Sequence, residues 1–105
     1  MICFEIGLNG EPYCVAGLEE GAVSAFVTWA FFPSVAKEEG LPVPPGTTLL
    51  AVSGFMADHT AVHWGDNIRA LSVGDEVTIR VAERPDPDEW TATPTLPDPD
   101  PTAAE

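Results

Sequence analysis

Positive charge is scarce in this chain. Only four Lys or Arg residues stand against 17 Asp or Glu residues among 105, which gives a formal net charge of −13. Docking onto DNA, RNA or anionic lipid depends on clustered Lys and Arg side chains that neutralise phosphates. We therefore expect no nucleic-acid and no membrane partner, and the excess of acids favours a partner that carries positive charge.

Long apolar runs and targeting signals are also missing. The longest apolar run, residues 22–35, is interrupted by Ser24, Thr28 and Pro33. It falls short of the about 20 apolar residues that a membrane-spanning helix needs. Residues 1–5 contain no Lys or Arg and already include an acid, so they do not look like a signal peptide. We expect a cytoplasmic protein, and the length predicts a single domain with one modest core.

Large apolar side chains are rare near the C-terminus. Residues 85–105 contain six acids, six prolines and no basic residue, with Trp90 and Leu96 as their large apolar groups. Such a segment buries too little apolar surface to offset the entropy of ordering. We predict a single β domain over residues 1–84 and a Pro/Asp-rich disordered tail over residues 85–105. The tail either only solvates the protein or docks on a partner through Trp90.

The dipeptide Asn9-Gly10 predicts a β-hairpin near the N-terminus. It separates two β-rich stretches, residues 3–8 and 11–16, and a two-residue type I′ turn needs a positive φ at both of its central positions. A two-residue loop would place Ile6 opposite Tyr13. In that register the core face consists of Phe4, Ile6, Leu8, Tyr13 and Val15.

Alternation of apolar and polar residues predicts further strands at residues 47–57, 60–64 and 76–84. The last of these is the most regular, and its predicted inward residues are Val77, Ile79 and Val81. Residues 21–32 are open to two interpretations, although their β-branched and aromatic content favours a strand over a helix. We predict an all-β fold of about six strands, a small antiparallel sandwich or barrel. The alternative is an α+β fold if residues 21–32 are helical.

The run LSVGDEVTIRV at residues 71–81 is of a kind found in many small bacterial β domains. Together with the Asn9-Gly10 hairpin, residues 14–17 and the pair His63-Trp64, it resembles a group of short uncharacterised bacterial all-β proteins. The resemblance covers residues 3–84 discontinuously. It implies an all-β fold and, because that group has no assigned activity, it implies no function.

The two cysteines, Cys3 and Cys14, lie in the predicted hairpin. A two-residue loop puts them on one face as a diagonal pair, about 7 Å apart between Cβ atoms. An unstrained disulfide needs about 3.8 Å. We therefore expect reduced, packed cysteines, with a disulfide as the alternative if a bulge brings the two residues together.

Four residues with metal-binding side chains fall close together in the sequence: Asp58, His59, His63 and Asp66. On a helix, the spacing of the two histidines would place both imidazoles on one face, as in many zinc sites. The segment reads instead as a turn and a strand, where the two histidines stand about 13 Å apart. We expect no cofactor, and keep a small ligand- or metal-binding β-barrel that uses this region as the alternative function.

Signatures of catalysis are absent from the sequence. It contains no G-x-S-x-G, no P-loop and no G-x-G-x-x-G motif. We therefore favour a non-catalytic protein without assigning any catalytic residue.

Aromatic residues and loop acids point to binding. One predicted strand carries aromatics on both faces, which a small sheet can bury only if both faces are covered. We predict an acidic interaction protein that binds a basic protein partner, as an immunity protein, an inhibitor or an accessory subunit, with a homo-oligomer as the rival assembly. The predicted partner-binding residues are Trp29, Phe31, Glu19, Glu20 and Trp64.

Overall fold

The computed structural model describes residues 1–42 and 45–93. The chain forms two antiparallel sheets and one short helix, so the all-β prediction is confirmed. The segment with two interpretations is a strand, since β3 covers most of residues 21–32. In chain order the elements are β1 (Ile2–Leu8), β2 (Glu11–Ala16), β3 (Ala22–Ala30), α1 (Pro33–Glu38), β4 (Thr47–Phe55), β5 (Ala61–His63), β6 (Arg69–Ala70), β7 (Val77–Glu83) and β8 (Thr91–Ala92).

The strands divide into a three-stranded and a five-stranded sheet. The order is β2-β1-β7 in the first sheet and β3-β4-β5-β8 in the second, where β6 also pairs with β4. Two of these strands, β6 and β8, are only two residues long, too short for periodicity to predict. The core lies between the sheets, and its fully buried side chains are those of Trp64, Leu50, Val52, Val62, Ala16 and Ile6.

A β-bulge in the first hairpin shifts the predicted register. Asn9 and Gly10 both have positive φ values, 53° and 81°, and the pairs nearest the turn follow the two-residue loop. Beyond Pro12 the register slips by one residue, so that Ile6 pairs with Cys14 instead of Tyr13. Proline lacks the N–H that a regular ladder uses, and bulges accommodate it.

The bulge overturns part of the predicted core face, because a shift of one residue exchanges the two faces of a strand. On β2 the buried residues are Cys14 and Ala16, whereas Tyr13 and Val15 are only half-buried. Cys14 therefore shares the inner face with its partner Ile6, and Cys3 lies on the opposite face of the sheet. Both thiols are free and buried.

The three residues of β7 that were predicted to face inward lie on the inner face, but two of them are not buried. Ile79 pairs with the buried Ile6 and so lies on the inner face. Nevertheless Ile79 is 47% exposed and Val81 is 64% exposed. The reason is topological: β7 is an edge strand of its sheet, and the second sheet does not cover that edge.

Residues 85–93, which we expected in a disordered tail, lie against the β strands. Asp88 and Val15 form two hydrogen bonds: the Val15 N–H donates to the Asp88 carboxylate at 2.8 Å, and the Asp88 N–H donates to the Val15 carbonyl at 2.9 Å. Strand β8 pairs with β5. The segment has few apolar side chains to bury, so polar contacts and strand pairing hold it against the β strands. The remainder of the expected tail, residues 94–105, lies outside the described residues.

Helix α1 is a single short segment between β3 and β4. Pro33 occupies its first turn, where the missing N–H costs nothing. Gly40 follows the helix with a φ of +72°, a conformation that suits glycine at a helix end. No helix within the described ranges has the length and apolar character to span a membrane.

Candidate functional site

Three loops enclose a groove that carries several carboxylates, with a volume of about 550 Å³. The loops are the β2–β3 connection, the turn after β4, and the segment that precedes β8. We call this cavity the acidic groove. The lining residues that matter here are Glu19, Glu20, Asp58, Asp88 and Trp90.

Two glycines let these loops approach each other. Gly21 has a φ of +134°, and a Cβ atom at this position would collide with the carbonyl oxygen of Phe55. Gly17 lies so close to Cys3 that a Cβ atom would stand 2.7 Å from its Sγ and 3.3 Å from the Cβ of Pro87. The β2–β3 connection therefore reaches both the end of β4 and the C-terminal segment because glycine has no side chain at these positions.

The turn after β4 orients the Asp58 carboxylate. His59 adopts a positive φ of 71°, and its N–H donates to the Met56 carbonyl at 2.8 Å. The Thr60 N–H donates to the Asp58 carboxylate at 3.0 Å. Hydrogen bonding from Thr60 holds the pKa of Asp58 below its ordinary value, with a smaller contribution from nearby His59. Asp58 is therefore ionised at neutral pH.

Hydrogen bonds of Asp88 to Trp64 and Val15 position the opposite wall of the groove. The carbonyl of Asp88 accepts the indole N–H of Trp64 at 3.1 Å, and its carboxylate accepts the Val15 N–H. These contacts hold the backbone two residues before Trp90. The Trp90 side chain is 42% exposed, so part of its indole ring is available to a ligand in the groove.

The arginines are engaged in ion pairs elsewhere. Arg84 donates to Glu5 at 2.9 Å, and Arg80 lies 3.6 Å from the same carboxylate. Arg69 pairs with Asp66 at 3.8 Å. Among the residues that the structure describes, no Lys or Arg side chain lines the acidic groove. Met1 does line it, and its α-ammonium group donates to the Arg84 carbonyl at 3.1 Å. Glu19 and Glu20 form no ion pair within residues 1–42 and 45–93.

The five predicted partner-binding residues do not form one surface. Glu19 and Glu20 lie in the acidic groove. Trp29 lies near the far end of β3, about 23 Å along the strand from Ala22, and Phe31 follows the last residue of the strand. Those two rings stack with centroids 6.1 Å apart, and Trp29 is 69% exposed. Trp64 is completely buried, so it is a core residue that no partner contacts. Its place after β5 on the inner face of the sheet was not visible in the sequence.

The region considered for a metal site is dispersed. His63 is buried, and its Nδ1 forms a hydrogen bond with the Thr93 hydroxyl at 3.0 Å. His59 is exposed in the turn, and the Asp66 backbone N–H donates to the Tyr13 hydroxyl at 2.9 Å. In the part of the chain that the structure describes, no group of three or more His, Cys, Asp or Glu side chains is arranged to hold a metal ion.

Sequence reasoning missed two groove residues, Asp58 and Asp88, as contributors to a partner surface. The sequence pattern points to Asp58 only as a metal ligand, and it places Asp88 in the expected tail. One sequence signal does point to Asp58: it is an acidic residue in a predicted turn that directly follows a strand. Asp88 is brought to the groove by contacts with Val15 and Trp64 that are more than 20 residues distant in sequence.

Comparison of this chain with family models, with curated proteins and with solved structures gives no match. The resemblance to short bacterial all-β proteins therefore stays a prediction.

Proposed function

We propose that this protein is a non-catalytic, acidic interaction protein that binds a basic protein partner through the acidic groove. The observation that carries the proposal is the composition of that groove. Four acidic residues and a partly exposed indole line one cavity of about 550 Å³, and the described part of the chain places no Lys or Arg side chain among them.

A lysine or arginine side chain of the partner fits this environment in two ways. Its charge is attracted by Glu19, Glu20 and the ionised Asp58, and its cationic head stacks on the face of Trp90. Each exposed ion pair contributes about 0.2–1 kcal/mol, and an exposed cation–π contact about 0.5–1 kcal/mol. Such contacts determine specificity and association rate more than total affinity. The partner therefore presents several basic residues around the one that enters the groove.

Two kinds of basic partner suit the proposal. As an immunity protein or inhibitor, the chain would cover the basic surface with which a toxin or nuclease holds its own anionic substrate. As an accessory subunit, it would occupy a basic surface away from the partner's active site. An assay of a captured partner separates the two, because only the first kind loses activity in the complex.

The test is a calorimetric titration with an arginine-rich peptide. The unmodified protein should bind the peptide at low ionic strength and release it at about 0.5 M salt, where charges are screened beyond about 4–5 Å. The double variant Glu19→Gln/Glu20→Gln should bind about tenfold more weakly, because two ion pairs are lost.

A matched variant separates the effect of the groove on binding from the effect of net charge. Glu38→Gln/Glu39→Gln removes the same charge from the end of α1, outside the acidic groove, and should change the affinity less than about twofold. Trp90→Leu should weaken binding by about threefold, since it removes the cation–π contact but keeps an apolar side chain. Equal losses from the two Glu pairs, or the absence of peptide binding at low salt, would refute the groove as the binding site.

A further inference from the structure

Within residues 1–42 and 45–93, no strand pairs with the outer edge of β3. Strand β3 is the terminal strand of the five-stranded sheet, with β4 as its neighbour, and its sequence AVSAFVTWA contains neither a charged residue nor a proline. Exposed edges offer a row of unpaired N–H and C=O groups, and natural proteins normally blunt them with charges, prolines, bulges or short strands. Nine uncharged residues at a sheet edge are a template for another strand.

The other outer strands of the described chain do carry such protection. Strand β7 includes Arg80 and Glu83, and β2 includes Glu11 and Pro12. The edge of β2 is also occupied, since Asp88 accepts from and donates to the backbone of Val15. Strand β8 has only two residues. The lack of protection on β3 is therefore specific to that strand.

We propose that β3 pairs antiparallel with β3 of a second copy of this chain, across a two-fold axis at Phe26. In this register the sequence of the strand is complementary to itself. Directly opposite positions would be Phe26 with Phe26, Ala25 with Val27, Ser24 with Thr28, Val23 with Trp29, and Ala22 with Ala30.

Three of these kinds of pair are favourable across antiparallel strands, and the Ala–Val and Ala–Ala pairs introduce no clash or charge. The Ser–Thr pair forms hydroxyl hydrogen bonds, and the Val–Trp and Phe–Phe pairs are the β-branched and aromatic combinations that stabilise sheets. The pairing also covers exposed apolar surface, because Val27 is 51% exposed and Trp29 is 69% exposed. Val27 lies opposite the buried Leu50 on the inner face, so the second copy would extend the existing core face.

The closed symmetry sets the size of the assembly. An isologous two-fold contact uses the β3 edge of both copies, so association stops at the dimer. One strand pair with its side chains lies at the small end of the areas that stable interfaces bury. We therefore expect a Kd on the order of micromolar.

Residues 94–105 of the same chain are the other possible occupant of this edge. Four of these twelve residues are prolines, which lack the N–H that a sheet ladder requires. Their sequence thus makes them a poorer partner for β3 than β3 itself.

Paired charge variants test both the dimer and its register. Ser24 and Thr28 are exposed, so substitution at either position leaves the core intact. In the proposed register, residue 24 of each copy faces residue 28 of the other. The double variant Ser24→Lys/Thr28→Lys therefore places two pairs of positive charges opposite each other, and Ser24→Glu/Thr28→Glu places two pairs of negative charges there. Analytical ultracentrifugation should show a dimer for the unmodified protein and monomers for each variant, with Kd values raised at least tenfold. An equimolar mixture of the two variants should restore a 1:1 heterodimer.

Circular dichroism of each variant verifies that the monomers are folded. A wild-type protein that remains monomeric at every concentration up to about 1 mM overturns the proposal. Dimers that persist in both single variants also overturn it, because the contact would then use another surface. A mixture that stays monomeric rules out the register centred on Phe26.

Discussion

The indole N–H of Trp64 donates to the backbone carbonyl of Asp88 at 3.1 Å, and this bond joins the centre of the core to the C-terminal segment. Trp64 is completely buried, so its N–H needs a partner inside the protein. The residue two positions beyond Asp88 is Trp90, which lines the acidic groove. Core packing and groove geometry therefore depend on the same segment.

Truncation tests this dependence. A chain that ends at residue 84 loses the acceptor for Trp64 and both hydrogen bonds to Val15. A buried donor without a partner costs about 1–3 kcal/mol. We expect the free energy of unfolding to be lower by at least about 3 kcal/mol than that of a chain that ends at residue 93, measured by urea denaturation. Equal stabilities for the two chains would mean that residues 85–93 do not contribute to the fold.

The Cys14 thiol should be unreactive in the folded protein. Burial raises its pKa from 9.0 to about 11, and the charge of Asp88 adds to the effect. Since the thiolate is the nucleophile, iodoacetamide at pH 8 should label Cys14 only when the chain unfolds. Mass spectrometry of the labelled peptides, with and without urea, measures this directly. Rapid labelling under native conditions would contradict the burial of the thiol.

Because of the Cys14 thiol, the free energy of unfolding should decrease at alkaline pH. A raised pKa means that the folded state keeps the proton after the unfolded state has released it. This contribution to stability is fully present below about pH 9 and is lost as the pH rises to about 11. The pKa of Tyr13 is also raised by burial, so the tyrosine acts in the same direction. In Cys14→Ala, the decline of stability over this range should be shallower than in the unmodified protein.

Asn9 links the first hairpin to the turn before β7. Its amide donates to the Asp75 carboxylate at 3.0 Å and accepts from the Glu76 N–H at 2.8 Å. Asn9→Ala loses both bonds and is strained at a φ of 53°, so we expect a destabilisation of about 2 kcal/mol. Asn9→Gly loses the bonds without the strain and should be less destabilised. Thermal unfolding of the two variants compares the contributions, and equal melting temperatures would show that strain is negligible.

The ionised Asp75 carboxylate contributes to the stability of the folded protein, and this contribution is lost at acidic pH. Hydrogen bonds from the Ser72 N–H and from Asn9 hold the pKa of Asp75 below its ordinary value of 3.8. A lowered pKa contributes stability above about pH 4 that is lost as the pH falls further. Asn9→Gly removes one of these bonds, so its stability should fall less steeply below pH 4. A slope identical to that of the unmodified chain would argue against the Asn9 contribution.

Salt should act in opposite directions on the two proposed contacts. Binding of a basic partner weakens as salt increases, because opposite charges attract across that interface. Pairing of two β3 strands involves no charged side chain, and the two copies repel through a net charge of −13 each. Raising the salt from about 0.05 M to 0.5 M screens that repulsion, so the dimer should strengthen. Sedimentation and peptide titration over the same salt series measure both effects, and parallel trends would contradict one of the two proposals.

Local pattern alone was sufficient for the longer strands and the first turn. Alternation and β-branched content identified β3, β4 and β7, and Asn9-Gly10 identified a turn with two positive φ values. The acids of the groove loops were also evident as loop residues. These features depend on neighbours in the sequence, because side-chain period and turn conformation are set within a few residues.

Only the tertiary structure decided which faces are covered. The bulge beyond Pro12 turned Cys14 inward, the second sheet left Val81 on β7 exposed, and Asp88 joined Trp64 across 24 residues of sequence. Burial of an inner face depends on the position and extent of the opposing sheet, and that information lies in long-range contacts. The charge of the chain and the edge sequence of β3 follow from the residues themselves. The grouping of four acidic residues and Trp90 around one cavity exists only after three distant loops meet.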